Sequence, residues 1–175
     1  MQGKDSKEGK GSEMAKLRYG MVGGGPGAFI GEAHRKAISL DATAELVAGC
    51  FSRNHEKCLA QGEILGIAPQ RCYPDYREMA RAEAAREDGI SFVVVVTPNN
   101  THYEICKAFL EAGIHVACDK PLVTTVSEAE ELERLAKDKG LLFMVTYTYT
   151  GHVTMKFMRD LIRGGEIGTV RTVPI

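Results

Sequence analysis

The chain has 175 residues, enough for one domain with a sizeable core that needs no disulfide or metal staple. Its 22 Lys and Arg against 23 Asp and Glu leave a formal charge of −1, which rules out the broad basic field that nucleic acid or an anionic membrane would require, with local patches left open. No run approaches the roughly 18 apolar residues needed to span a bilayer, and five cysteines without a C-x-x-C pair read as free thiols of a reducing cytoplasm.

Residues 1–15 form a polar, glycine-rich segment of mixed charge, without the apolar run of a secretory signal, and a disordered leader is expected there. Lys16 to Val22 reads as a strand running into Gly23-Gly24-Gly25-Pro26-Gly27-Ala28-Phe29-Ile30-Gly31 and then a helix. Such a junction suits a pyrophosphate: glycines let the backbone approach closely, and the free N–H groups of a helix start favour negative charge. Gly23-x-Gly25-x-x-Ala28 fits the fingerprint in its G/A form. Gly31 is the alternative third position, favoured because it stands roughly 20 residues before Ser52, the distance expected to the ribose-reading site.

The helix from Phe29 to Leu40 is predicted to bury Phe29, Ala33, Ala37 and Leu40 and to turn Glu32, Arg35 and Lys36 outward. Glu45 to Phe51 follows as a strand, Asn54 to Leu65 as a helix interrupted by Gly62, and Arg71 to Tyr73 as a short strand. Asp75 with Glu78 forms an acidic capping box opening a helix to Glu87.

Four successive valines, Val93 to Val96, lack alternation and suit a parallel strand covered on both faces. Its polar end, Thr97-Pro98-Asn99, should line a cleft, because ligands of open α/β sheets sit outside the carboxyl ends of the strands. Thr101 and Glu104 are the predicted cap and answering residue of the next helix, which stops at Gly113. Ile114 to Cys118 is the strand after it, and Ser127 with Glu130 a capping box for a helix ending at Gly140. Leu141 to Val145 gives another strand, Val153 to Arg163 a helix, and Gly168 to Val173 an extended piece. Strand and helix alternate throughout, so the expected architecture is a doubly wound, mostly parallel α/β Rossmann sheet with helices on both faces.

No metal site is expected: His115 and Cys118 are the nearest ligand pair, and on one strand they point to opposite faces. Three strand ends should converge on one crevice, namely the glycine loop, Thr97-Pro98-Asn99 and Asp119-Lys120-Pro121. Lys120 would bring a positive charge, or in a dry site a neutral amine, beside a bound cofactor. Spacing leaves a plain surface lysine before a turn-making proline equally open.

The glycine-rich junction, Tyr73-Pro74-Asp75-Tyr76, the Val-Thr-Pro-Asn-x-x-His run at 96–102 and the segment Glu111-Ala112-Gly113-Ile114-His115-Val116-Ala117-Cys118-Asp119-Lys120-Pro121-Leu122 together resemble the glucose-fructose oxidoreductase and inositol dehydrogenase (Gfo/Idh/MocA) superfamily of NAD(P)-dependent dehydrogenases. The resemblance covers nearly everything after Lys16 and implies a dinucleotide-binding domain over residues 16–150. Residues 151–175 would then lead towards a second, substrate-binding domain that does not follow in this sequence.

The resemblance further implies that Gly23, Gly25 and Gly31 hold the pyrophosphate, that Thr97, Pro98 and Asn99 meet the ribose and nicotinamide side, and that His102, Asp119 and Pro121 belong to the same cofactor site. Lys120 matches the family's catalytic lysine, which positions a substrate hydroxyl and assists its proton transfer as hydride moves to the nicotinamide. Asp119 stands where the family usually has Glu, which places a contact from that carboxylate in question. Ser52 and Arg53 replace the acidic residue of NAD enzymes and lean towards NADP, since serine removes a repelling charge and arginine can pair with a 2′-phosphate. Tyr147, Tyr149 and His152 are weaker candidates near the substrate side, where strand packing explains alternate aromatics equally well.

The implied substrate is a sugar or polyol, the implied full-length relative an oligomer, and this chain is expected to bind cofactor with little turnover. An S-adenosylmethionine methyltransferase, whose glycine loop Gly23, Gly25 and Gly27 would also fit, and a non-enzymatic dinucleotide-sensing module remain the alternatives.

Overall fold

A computed structural model describes residues 15–173; the leader expected before them lies, apart from Ala15, outside the described residues. Five parallel strands, β1 (Leu17–Gly23), β2 (Ala44–Cys50), β3 (Phe92–Val96), β4 (His115–Asp119) and β5 (Phe143–Thr146), form one sheet in the order β2-β1-β3-β4-β5. The chain moves outward from β1 to β2, then returns to the other side of β1 for β3. This reversal opens a crevice at the carboxyl ends of β1 and β3, the switch point at which open α/β sheets bind ligands.

The valine run explains why the sheet is sealed on both sides. Val93 and Val95 point into one apolar cluster, with Ile105, Phe109, Leu110 and Leu132, and Val94 and Val96 into the other, with Tyr19, Met21, Phe51 and Ile67. Helices α3 (Tyr76–Ala84), α4 (His102–Glu111) and α5 (Val126–Asp138) supply the first cluster. Helices α1 (Phe29–Ser39) and α2 (His55–Ile64) supply the second through Ile30, Ile38, Cys58 and Leu59. The five cysteines are buried and unpaired. Helix α6 (Val153–Arg163) follows β5 and leaves Val153 and Phe157 exposed.

Several local expectations are corrected. The inward face of α1 carries Ile30, Gly31 and Ile38, while Phe29 and Leu40 are 81% and 87% exposed. Arg35, predicted to face outward, turns in and donates to the Gly24 carbonyl at 3.2 Å. Close contact between Gly31 and Gly24 sets this rotation, a constraint that the apolar period of the helix does not contain.

The strand expected over Arg71 to Tyr73 is a 3-10 turn at Pro69–Arg71 with a single bridge from Cys72 to Gly49. The box capping α5 is Thr125 with Glu128, since Thr125 begins the helix with extended backbone and Ser127 is already inside it. Thr101 stands at the N-cap of α4 as expected, but its side chain makes no cap hydrogen bond; its hydroxyl donates to the Pro98 carbonyl at 2.7 Å and contacts the Thr97 hydroxyl at 2.8 Å, and a 3-10 turn at Asn99–Thr101 feeds the helix. Asp75 does cap α3, accepting from the N–H groups of Arg77 and Glu78. The segment Gly168 to Val173 joins no strand.

Candidate cofactor site at the strand ends

Register places the chemistry-bearing ends at one level. Val22 pairs with Cys50, Gly23 with Val96, Val95 with Cys118 and Asp119 with Thr146. The residues that follow each strand, Gly24, Phe51, Thr97 and Lys120, therefore leave the sheet along a single rim.

Between β1, β2 and β3 this rim holds a cleft of about 800 Å³, within the size range of small-molecule sites. Gly23 and Gly25 form one wall, Ser52 and Arg53 the far end, and Thr97 and Pro98 the opposite wall. A larger groove of about 870 Å³ runs along the flank of the sheet between α1 and α2, past Tyr19, Leu46 and Ile64. It meets the glycine loop only at Gly25, Gly27 and Ala28 and includes no residue from the ends of β3 or β4.

Two glycines show why the loop is shaped this way. Gly23 has φ +89°, and a Cβ there would lie 2.7 Å from the Val96 carbonyl oxygen. A side chain on Gly31 would run into the Cα of Gly24, so Gly31 is buried support beneath the loop rather than cleft surface. This contact gives Gly31, and not Ala28, the place of the packing glycine; Ala28 lines the cleft as the N-cap residue of α1.

Asn54, Asp75 and Thr125 cap α2, α3 and α5 with side-chain oxygens, whereas α1, α4 and α6 start without a side-chain cap, and of these α1 alone opens beside the glycine loop. The first N–H groups of α1 are thus left for an external acceptor beside the glycine loop, as a pyrophosphate requires. At the far end, Arg53 is exposed, and Lys57 on the first turn of α2 lines the same cleft. The Ser52 hydroxyl accepts from the Asn54 N–H at 3.1 Å.

The remaining predicted residues distribute differently. Asn99 is exposed at the start of the 3-10 turn, and the cleft is lined by Asn100 and Thr101 instead. Asp119 is half-buried, accepting from the Thr146 hydroxyl at 2.9 Å with His34 Nε2 at 3.7 Å. Lys120 and Pro121 are exposed on the adjoining turn and do not line the cleft. The expectation that His102 contacts cofactor is corrected, because its ring is fully buried and both nitrogens meet backbone carbonyls.

Burial disfavours a charge on His102, but the side chain of Cys118 and the carbonyls of Pro121 and Thr97 outweigh it and push its pKa up to about 9. Within the buried thiol pair, Cys118 is held below the usual thiol range, first by its hydrogen bond with Cys106 and then by His102, while Cys106 is pushed up.

Lys57, Tyr76 and Asn100 escaped the sequence reading as cleft residues. Lys57 was detectable, since it stands one helical turn beyond Arg53; Pro74-Asp75-Tyr76 was visible as a motif, but only folding brings it against the cleft.

The family model described as "Oxidoreductase family, NAD-binding Rossmann fold" matches residues 17–147. The uncharacterized oxidoreductase YfiI of Bacillus subtilis is 46% identical over 160 residues, 91% of this chain and 41% of that protein. The crystal structure of an inositol dehydrogenase homolog from Azotobacter vinelandii complexed with NAD+ is 46% identical, with a TM-score of 0.87, over 90% of this chain and 41% of that one. An oxidoreductase from Pseudomonas syringae is 47% identical with a TM-score of 0.86, over 89% of this chain and 43% of that one. The chain spans about two fifths of the length of these relatives. With its parallel sheet, its glycine junction and its level strand ends, the chain belongs to the Gfo/Idh/MocA oxidoreductase family and corresponds to that family's NAD-binding Rossmann domain.

Proposed function

We propose that this chain serves a dehydrogenase that moves hydride between a nicotinamide dinucleotide and a hydroxyl or carbonyl of a sugar or polyol. The observation that carries this reading is the shared rim, on which the glycine loop, Ser52-Arg53 and Thr97-Pro98 surround one cleft. Inositol dehydrogenase homologs with NAD+, and with NADH and myo-inositol, support the polyol class. A Bacillus subtilis scyllo-inositol 2-dehydrogenase (NADP(+)), 32% identical over 61% of this chain, supports it too.

In this proposal the glycine loop and the uncapped start of α1 bind pyrophosphate, Thr97 and Pro98 set the nicotinamide side, and Lys120 is the catalytic residue. A bound nicotinamide supplies the hydride acceptor. Lys120 Nζ would hold the substrate hydroxyl and relay its proton to solvent as the hydroxyl-bearing carbon gives up its hydride. Lys120 is exposed and has no hydrogen-bond partner among the described residues, so its Nζ is available to a substrate at the rim.

At the adenosine end, Arg53 and Lys57 provide two cations and Ser52 no charge, which favours NADP. The buried free thiols fit a reducing compartment such as the cytoplasm.

Thermal-shift titration with NAD+, NADP+ and S-adenosylmethionine tests the reading, because a ligand bound only by the folded state raises its stability, by about 2.7 kcal/mol at a hundredfold excess over Kd. Both dinucleotides should raise Tm, NADP+ the more. Stabilisation by S-adenosylmethionine but by neither dinucleotide would transfer the cleft to methyl-transfer chemistry.

A further inference from the structure

His102 stands at the first position of α4, and its ring spans two loops that come from different strands. Nε2 lies 2.8 Å from the Thr97 carbonyl oxygen, at the end of β3, and Nδ1 lies 2.9 Å from the Pro121 carbonyl oxygen, in the turn after β4. Carbonyl oxygens only accept, so satisfying both contacts takes two N–H donors on opposite sides of one ring. No solvent reaches the ring to substitute for either.

The two anchors are arranged unequally. The Thr97 loop is tied to the start of α4 a second time, through the Thr101 hydroxyl on Thr97 and Pro98. The Lys120 turn is held at Pro121 by His102 and at Asp119 by Thr146 and His34. Lys120 thus has an exposed side chain between two fastened neighbours. The helix that carries the strap is itself rigidly seated, with Ile105, Cys106, Phe109 and Leu110 buried behind His102.

We propose that His102 is a positioning residue: its buried ring clamps the Thr97 and Pro121 carbonyls and so sets the distance between the wall of the dinucleotide cleft and the Lys120 turn. The proposal rests on the dinucleotide reading of the cleft, and it assigns to His102 no contact with cofactor or substrate. The clamp acts on the nicotinamide side. The adenosine side, built by Ser52 and Arg53 after β2, lies across β1 from it.

Calorimetric titration of the wild-type chain and His102→Gln with NADH, NADPH and ADP separates the alternatives. The carboxamide introduced by His102→Gln carries donors on one nitrogen only and cannot bridge both carbonyls. The expected result is a loss of about tenfold in affinity for the preferred dinucleotide, as small displacements of a positioned group produce, with ADP affinity kept within about twofold. Equal losses for dinucleotide and ADP, or no loss for either, would overturn the clamp. Failure of the wild type to bind ADP or either dinucleotide would instead remove the cofactor reading, and the clamp with it.

Should His102→Gln not fold, nitrogen-15 spectra of the wild-type chain decide. Two slowly exchanging ring N–H signals from His102 that shift on adding dinucleotide and stay in place with ADP support the proposal. A ring with one bare nitrogen, or signals indifferent to the dinucleotide, refutes it.

Discussion

Gly31 packs against Gly24 with no space for a Cβ between them, so the first turn of α1 rests directly on the backbone of the glycine loop. Gly31→Ala must displace the loop, because the obstructing atom is backbone rather than the end of a flexible side chain. Overpacking of this kind costs about 1–3 kcal/mol. We expect urea denaturation to show that loss and calorimetry to show dinucleotide affinity reduced by about tenfold or more. An unchanged affinity would mean that the loop does not cradle the pyrophosphate.

At the other end of the cleft, Arg53 and Lys57 stand beside Ser52 with no hydrogen bond from either side chain among the described residues. Replacing Arg53 with Ala should weaken NADP+ by about tenfold, the scale of one charge-assisted hydrogen bond, and leave NAD+ within about twofold. Equal effects on the two cofactors would show that Arg53 reads adenine or general charge rather than a 2′-phosphate.

Beneath α3, Arg71 and Glu83 form a buried pair, with Arg71 Nε 3.0 Å from Glu83 Oε1 and the Tyr73 hydroxyl donating to the same oxygen at 2.8 Å. Among the described residues no buried side-chain nitrogen or oxygen lacks a partner. Glu83→Ala would strand the Arg71 guanidinium with only Asp88 to answer it, at a cost of about 3–5 kcal/mol. Tyr73→Phe, which removes one neutral donor, should cost about 1 kcal/mol. Chemical denaturation of the two variants should give that order; similar losses would show that the ion pair adds nothing to the hydroxyl contact.

The raised pKa of His102 has a defined pH signature. Its pKa is about 9 in the folded chain against the ordinary 6.5. Between these values the folded state holds a proton that the unfolded state has released, so the contribution is complete below about 6.5 and fades as pH rises through about 9. Cys118 on β4 is the titratable group that acts on it, and Cys106 on the same helix acts on Cys118 in turn. Cys118, with its pKa lowered, acts in the opposite sense and loses its contribution as pH falls through about 6. The two contributions oppose each other between about pH 6.5 and 9, so the readout is the ring itself. Nitrogen-15 shifts of the folded chain should show His102 keeping both ring N–H groups up to about pH 9, and a ring that loses one of them near 6.5 would show that the fold does not hold the proton.

Much of the architecture could be read from local patterns. The valines of β3, the Asp75 cap and the glycine junction each announce their element through neighbours a few positions away, because strand and helix periods and cap hydrogen bonds are local properties. The capping box expected at Ser127 and Glu130 forms at Thr125 and Glu128, because the extended backbone that starts α5 lies at Thr125. The inward face of α1 was misjudged for a different reason: its rotation answers to Gly24 on another element, not to its own apolar residues.

The amino-acid order thus specified a doubly wound sheet through its periodicity and the rim through its strand ends, while the family came from the resemblance of its motifs. Folding settled which side chain of a motif meets the cleft and which is consumed in supporting it. Asn100 took the cleft position expected of Asn99, and His102 went inward to join Thr97 to Pro121. Those assignments depend on contacts between segments far apart along the chain, whose relative placement comes from the balance of burial, register and hydrogen bonding over the whole core.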